Sequence, residues 1–273
     1  VRPVEVVRRG TGYLARHGVA SPEVDAEQLM LAVLGTDRAG LRRRDAPLGP
    51  DEARAYGRAL CRRCTGTPLQ HLTGTQGFRH LVLHVAPGVF IPRPETEVLV
   101  AHALAAIADL AEPSVADACT GTGAVALSIV HEHPGARVVA TDVSADAVRL
   151  ARRNAASLGL DVAVRQADLL DGVDGPLDLI TANPPYVPED RRPGLPAEVV
   201  AEPDLAVFGG PAIYARLFAQ AAALLRPGGH VAVEIEDAAG ATVRALAVEA
   251  GLLDVAVHPD LNGRDRVVVG RGP

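Results

Sequence analysis

Four consecutive residues, Asn183-Pro184-Pro185-Tyr186, carry the most specific chemistry in this 273-residue chain. An amide or exocyclic amino nitrogen is a poor nucleophile because its lone pair is delocalised. Holding both of its N–H hydrogens orients it for in-line attack, and positioning of this kind removes a large part of a barrier. The side-chain oxygen of Asn183 and the backbone carbonyl of Pro184 are two acceptors suited to an NH₂ group. Proline fixes φ and makes the loop rigid, and Tyr186 offers a flat face to a planar amide or base. The four residues therefore read as a catalytic loop for methylating a planar nitrogen, with amide and base both open.

A second group, Asp117-Ala118-Cys119-Thr120-Gly121-Thr122-Gly123-Ala124, falls between a predicted strand and a predicted helix. Gly121 and Gly123 permit a tight turn and close approach of backbone N–H groups to a ligand. Asp142 ends the next predicted strand, where a carboxylate accepts from both hydroxyls of a ribose. Asp168 ends the one after, placed to accept from an adenine amino group with Leu169 packing on the ring. These residues suit a nucleoside-containing cofactor. Ala126, three residues after Gly123, is tolerated by the dinucleotide fingerprint, so the glycines alone do not exclude NAD. The acid ahead of the turn, Asp117, suits a charged amino-acid tail better than a pyrophosphate.

The elements that must position these groups alternate in type. Strands are predicted at Val115–Ala118, Arg137–Asp142, Val162–Gln166, Leu177–Ala182, His230–Ile235, Asp254–His258 and Arg266–Gly270. Helices are predicted at Ala124–Glu132, Ala145–Leu158, Ala212–Leu225 and Ala239–Ala250. This alternation implies a mostly parallel sheet covered on both faces, and ligands of such sheets bind outside the carboxyl ends of the strands. Residues 1–74 read instead as helices, with Ser21-Pro22 as a start and Gly35 as a stop. Thr75–Ile91 reads as a β-hairpin linker, and Pro92–Glu97 opens a helix running to about Ala111. The predicted organisation is thus 1–74 helical, 75–91 hairpin and 92–273 α/β.

Composition narrows the class. The chain is 48% hydrophobic, 22% charged and only 3% aromatic, so its core is built from Ala, Val and Leu. No apolar run approaches the roughly 20 residues of a membrane span, and Val1–Glu5 shows no signal-peptide pattern. Three Cys argue against a disulfide framework, and a cytoplasmic setting is expected. Cys61 and Cys64 lack the second pair that a zinc site needs and read as two thiols on a helix. His131-Glu132-His133 lacks zinc-protease spacing, and no metal is expected. Residues 1–74 hold 12 Arg against 8 acidic residues, and the remainder 15 Arg against 25. An adenine-N6 methyltransferase would need a cationic groove for nucleic acid, so no stable nucleic-acid binding is expected from the acidic portion.

The chain resembles the protein-(glutamine-N5) methyltransferases of the HemK/PrmC type, which methylate class 1 peptide chain release factors. The resemblance spans nearly the whole sequence. Beside the Asp117–Ala124 turn and Asn183–Tyr186, it is carried by Phe90-Ile91-Pro92-Arg93-Pro94-Glu95-Thr96-Glu97, by Glu202-Pro203 with Gly209-Gly210, by Arg226-Pro227-Gly228-Gly229, by Glu234-Ile235 and by Leu261-Asn262-Gly263-Arg264-Asp265-Arg266. It implies a helical N-terminal domain that helps recognise the release factor. It also implies a class I S-adenosylmethionine-dependent methyltransferase domain, Rossmann-like, with a seven-stranded mostly parallel sheet. S-adenosylmethionine is the implied cofactor and S-adenosylhomocysteine the product. Cys119, Thr120, Gly121, Thr122, Gly123, Asp142, Leu169 and Asn183 would line the cofactor site, with Asp117 and Asp168 beside them. Asn183, Pro184, Pro185 and Tyr186 would hold a glutamine side chain from a Gly-Gly-Gln loop. The chain departs from the family pattern at Cys119, where glycine is usual, at Leu169, where an aromatic can stand, and at Pro211-Ala212-Ile213, where Asp-Gly-Leu is usual.

Overall fold

Proline opens three of the first helices, where its missing N–H costs nothing because a first-turn N–H has no intrahelical partner. In the computed structural model, which describes every residue except Pro196, these residues form α1 (Pro3–Arg16), α2 (Pro22–Leu34), α3 (Arg38–Arg43), α4 (Pro50–Cys64) and α5 (Leu69–Thr73). Gly35 ends α2 in the left-handed region at φ 57°, as the sequence predicts, whereas the Ser21 hydroxyl makes no capping bond. Leu14, Leu29, Met30, Tyr56 and Leu60 form their common core. Cys61 and Cys64 lie in the last turn of α4. One compact unit consists of Val1–Thr75 together with residues 197–201. Inside it, buried Arg63 donates to Asp25 Oδ2 at 2.6 Å and to Glu198 Oε1 at 2.5 Å.

The second unit comprises Gln76–Leu195 and Glu202–Pro273. A hairpin of β1 (Thr75–Phe78) and β2 (Leu81–His84) leads into α6 (Thr96–Ile107). The hairpin is shorter than the sequence indicates: Val89 and Ile91 are buried but belong to no strand. The next helix starts later than the sequence indicates, because Pro92 and Pro94 bias the residues before them toward extended conformations. The remaining elements are β3 (Ser114–Ala118), α7 (Ala124–Glu132), β4 (Arg137–Asp142), α8 (Ala145–Leu158), β5 (Val162–Gln166), β6 (Leu177–Ala182), the single turns α9 (Ala197–Val200, in the helical unit) and α10 (Asp204–Val207), α11 (Pro211–Leu224), β7 (Leu225–Glu234), α12 (Gly240–Glu249), β8 (Leu253–Pro259) and β9 (Asp265–Arg271). β7 extends well ahead of the predicted His230, and its register against β6 shifts between Leu177 and Leu179. Gly228, at φ 76°, supplies the local geometry for that extension.

The seven strands lie in the order β5-β4-β3-β6-β7-β9-β8. All neighbours from β5 to β7 are parallel, and β9 runs antiparallel to both β7 and β8. Alternate side chains of each central strand enter opposite layers, which is why these strands read as nearly continuous apolar runs. Val115, Val138 and Leu179 pack with Leu99, Leu127 and Val148 from α6, α7 and α8. Ala116, Ile180 and Val231 pack with Leu217, Phe218 and Val243 from α11 and α12. The strand order, which runs outward from β3 to β5 on one side and from β6 onward on the other, reverses between β3 and β6, the position at which such sheets open a ligand crevice.

The hairpin is tied to the layer of helices by a buried amide. Asn154 on α8 accepts from the His84 N–H at 2.8 Å and donates to the carbonyls of His84 and Thr122 at 3.0 and 2.9 Å. Its side chain thus completes β2 and braces the Gly121–Gly123 turn together. Asn154→Ala leaves three backbone groups without these partners, at about 1 kcal/mol or more each. The melting temperature of this unit is expected to fall by about 5–10 °C in calorimetry; a fall within error would show that Asn154 does not brace the turn.

Candidate active site

Strand register brings the two sequence motifs together. Ala118 of β3 pairs with Thr141 of β4 and with Ala182 of β6. Cys119 and Asn183 therefore leave adjacent strands at the same level, and Asp142 ends the strand on the other side. In the turn, Thr120 N–H donates to the Thr141 carbonyl at 3.0 Å and Gly123 N–H to the Thr120 carbonyl at 2.8 Å. Gly121 (φ 56°) and Gly123 (φ 85°) are both left-handed, and the two serve different purposes. A Cβ on Gly121 would meet nothing within 4 Å, whereas one on Gly123 would press on Leu127 and Ala151. The first glycine leaves open space above the turn; the second lets α7 and α8 pack beneath it.

Cys119 and Leu169 also have positive φ, 56° and 52°. A non-glycine residue is strained in this region, so Cys119 holds a conformation that glycine would adopt more easily. Burial, with Asp142 and Asp117 nearby, pushes the Cys119 thiol far above its ordinary pKa. The Leu169 carbonyl accepts from the Thr141 hydroxyl at 2.6 Å, which fixes the bend that follows β5.

The three acids have distinct environments. Asp142 accepts from the Gly121 N–H through Oδ2 and from the Ser144 N–H through Oδ1, both at 2.9 Å. Its carboxylate is oriented by backbone at the mouth of the turn; burial raises its pKa, and these two bonds oppose the rise. Asp168 is exposed, and its Oδ2 accepts from Arg216 at 2.6 Å, so the adenine contact read from the sequence competes with an ion pair. Asp117 lies deeper than the other two. It is 1% exposed, and its two oxygens accept from the Thr120 and Thr181 hydroxyls at 2.6 and 2.7 Å. These two bonds tie the glycine turn to β6 from behind.

The Asn183–Tyr186 loop is backed by a polar group of side chains whose roles the sequence reading did not assign. Asn183 Nδ2 donates to the Thr96 hydroxyl at 3.2 Å, and the Tyr186 hydroxyl to Glu234 Oε1 at 3.4 Å. Glu234 is 1% exposed, and burial lifts its pKa to about 7 against the opposing pull of Thr96, Arg266 and Tyr186. The Tyr214 hydroxyl reaches the Glu234 carbonyl at 3.1 Å. Arg266 spans Asp260 and the Ile235 carbonyl, and Asp260 also accepts from the N–H groups of Asn262 and Arg264. On the opposite side, buried Glu202 pairs with Arg93 and accepts from the Ile91 N–H at 3.1 Å. Phe90, Arg93, Thr96, Glu202, Glu234 and Asn262–Arg266 all stood among the motifs that carry the family resemblance. That membership was the signal available; the contacts of Thr96 with Asn183 and of Glu234 with Tyr186 were not visible. Among the described residues, no group of three or more His, Cys, Asp or Glu is placed to hold a metal.

The Asp117 pKa has a consequence for stability. Burial lifts it from 3.8 to about 6. The unfolded chain releases this proton first, so stability is greatest below the unfolded pKa and falls as pH rises through the folded one. A gap of about two units corresponds to about 3 kcal/mol. Asp117→Asn removes this contribution, so its stability relative to the native chain improves by that order between about pH 4 and pH 8 in denaturant titrations. An unchanged difference across that range would contradict the assignment.

Two family models match the chain: the PrmC N-terminal domain over residues 5–74 and the methyltransferase small domain over residues 81–204. A release factor glutamine methyltransferase of Mycolicibacterium smegmatis is 43% identical over 96% of this chain and 95% of its own length. One from Deinococcus radiodurans is 43% identical over 98% of this chain and 97% of its own. Among solved structures, a T. thermophilus 16S rRNA methyltransferase in complex with AdoMet and guanosine superposes with a TM-score of 0.55 at 19% identity, covering 73% of this chain and 50% of that one, a likeness of fold. With relatives this similar over nearly their full length, the chain belongs to the release factor glutamine methyltransferase family.

Proposed function

We propose that this protein transfers a methyl group from S-adenosylmethionine to the side-chain amide nitrogen, N5, of a glutamine in the Gly-Gly-Gln motif of a class 1 peptide chain release factor. The observation that carries this reading is the match, over nearly the whole chain, to relatives named for that activity. The site fits the cofactor: open space lies above Gly121, and the Asp142 carboxylate is aimed by two backbone N–H groups at the crevice where a ribose would sit. Cys119, Gly121, Asp142 and Leu169 would hold the cofactor. When bound, it supplies an electrophilic methyl on a sulfonium.

The remaining work belongs to the chain's own residues. Asn183 Nδ2 is committed to Thr96, so its Oδ1 is the end left to accept an N–H from the glutamine amide. The Pro184 carbonyl accepts the other. With both hydrogens held, the amide nitrogen directs its lone pair along the methyl-transfer axis. Methylation then releases one amide proton and leaves N5-methylglutamine. Tyr186 packs against the buried apolar layer that covers α11 and offers its ring to the flat amide. No helix of the described chain is long and apolar enough to cross a membrane.

The loop carrying these acceptors rests on glycine. Val187 bridges to Phe208 in parallel, and Gly209 N–H donates to the Val187 carbonyl at 3.0 Å. A Cβ on Gly209 would lie 2.0 Å from the Pro185 carbonyl oxygen, so any side chain there displaces the loop. Gly209→Ala is expected to lower methyl transfer about a hundredfold by misplacing the acceptors, with cofactor affinity by calorimetry little changed. Full activity in this variant would refute the steric argument. The function is tested by tritiated methyl transfer onto a purified release factor. Label is expected on the native factor and absent when the Gly-Gly-Gln glutamine is replaced. Transfer that persists on the replaced factor, or that goes to DNA adenine instead, would overturn the reading.

A further inference from the structure

The bend that follows β5 is strained and yet firmly held. Leu169 keeps a left-handed backbone at φ 52° while its side chain is buried. A residue other than glycine stays in that region only where its surroundings over-determine it. From one side, the Thr141 hydroxyl donates to the Leu169 carbonyl at 2.6 Å and the Ala167 N–H to the Asp142 carbonyl at 3.0 Å. The bend is thereby attached to the end of β4, beside the acid assigned to the ribose.

From the other side it is held by one face of α11. Arg216 and Gln220 lie four residues apart on that helix, so their side chains leave it in the same direction. Gln220 Oε1 accepts from the Leu170 N–H at 3.1 Å, and its Nε2 donates to Asp171 Oδ1 at 2.7 Å. Both ends of the carboxamide are used, which fixes its orientation. One turn earlier, Arg216 Nη2 donates to Asp168 Oδ2 at 2.6 Å. Two residues of one helix thus hold Asp168, Leu170 and Asp171, which lie 48 to 50 residues earlier in the chain. The ion pair engages one oxygen of Asp168 and leaves Oδ1 for a ligand.

An exposed aspartate turns freely, and fixing it costs entropy at the moment of binding. Arg216 removes that freedom beforehand, and its competition with a ligand is confined to Oδ2. Resting on the reading of this crevice as an S-adenosylmethionine site, we infer that Arg216 and Gln220 are positioning residues for the cofactor's base: Gln220 holds the bend, and Arg216 turns Asp168 so that Oδ1 accepts from the adenine 6-amino group. The arrangement selects a 6-aminopurine over a purine that lacks the amino group, because only the former supplies the donor. Neither residue touches the reacting atoms.

The test is calorimetric binding of S-adenosylhomocysteine and of its analogue with hydrogen in place of the 6-amino group. Native protein is expected to bind the amino compound about tenfold more tightly, as one hydrogen bond to a charged group allows. Arg216→Ala is expected to weaken the amino compound about fivefold and to leave the analogue within about twofold. Its melting temperature is expected to stay native, because both partners of the pair are half-exposed and such pairs add little stability. In an Asp168→Ala background the Arg216 substitution is expected to change neither affinity, because both act through one contact. Gln220→Ala is expected to lose selectivity as well, read below its own lowered melting temperature. Tighter binding of S-adenosylhomocysteine by Arg216→Ala overturns the inference, since the pair then competes with the base. Equal losses for the two ligands, or native protein that does not distinguish them, overturn it too. Undiminished selectivity in Gln220→Ala overturns the part given to Gln220. Native protein that shows the expected selectivity but leaves a release factor unlabelled counts against the proposed function alone.

Discussion

The carboxylate of Asp117 joins the glycine turn to the strand that leads into the Asn183–Tyr186 loop. Its Oδ2 accepts from Thr120 inside the glycine turn, and its Oδ1 from Thr181, two residues before Asn183 on the neighbouring strand. Both contacts lie at the point where sheet order reverses, so the glycine turn and the Asn183–Tyr186 loop share one anchor. Keeping a charge in this layer is unfavourable, as its raised pKa of about 6 records. The two hydroxyls offset part of that cost. Without them, a buried ion of this kind would lack adequate compensation.

Around this anchor the protein accepts strain and buried polarity where it needs geometry. Cys119 and Leu169 hold left-handed backbone conformations, at a cost of about 1–2 kcal/mol each. Thr96, Asn183, Tyr186, Glu234 and Arg266 form a polar layer behind the loop instead of an apolar one. In a low-dielectric setting such a layer is stiff when its partners are in place and costly when they are not. The close contact of Gly209 with Pro185 adds a steric limit from the other direction. The loop is therefore rigid through its prolines, its backing hydrogen bonds and its packing, three independent causes.

The loop chemistry does not by itself separate a glutamine amide from an adenine amino group, since both present a planar NH₂. What separates them lies elsewhere in the chain. The unit carrying the site is rich in acids, with 25 against 15 Arg beyond residue 74, a poor field for a polyanion. The helical unit matches the PrmC N-terminal domain over residues 5–74, a region that an account restricted to the catalytic loop would leave unexplained.

Local sequence was sufficient for most of the sheet. β4, β5 and β6 fall where strand patterning predicts, because buried parallel strands need unbroken apolar runs and turn residues bound them. The positions of Asn183, Asp142 and the Gly121–Gly123 turn followed as well, since each sits at a strand end. Boundaries set by competition were less accessible: the start of α6 depended on two prolines, and the early start of β7 on a bulge at Gly228. For Asp117, local spacing shows an acid before a glycine turn but not the two threonines that enclose it. Thr96 and Glu234 appeared in the sequence only as parts of family motifs. Residue type and spacing specify which groups are available and which element carries them. Which of those groups meet, in what orientation and with what protonation, was decided by packing between α6, β6 and β7, because hydrogen-bond polarity and desolvation depend on neighbours distant in the chain.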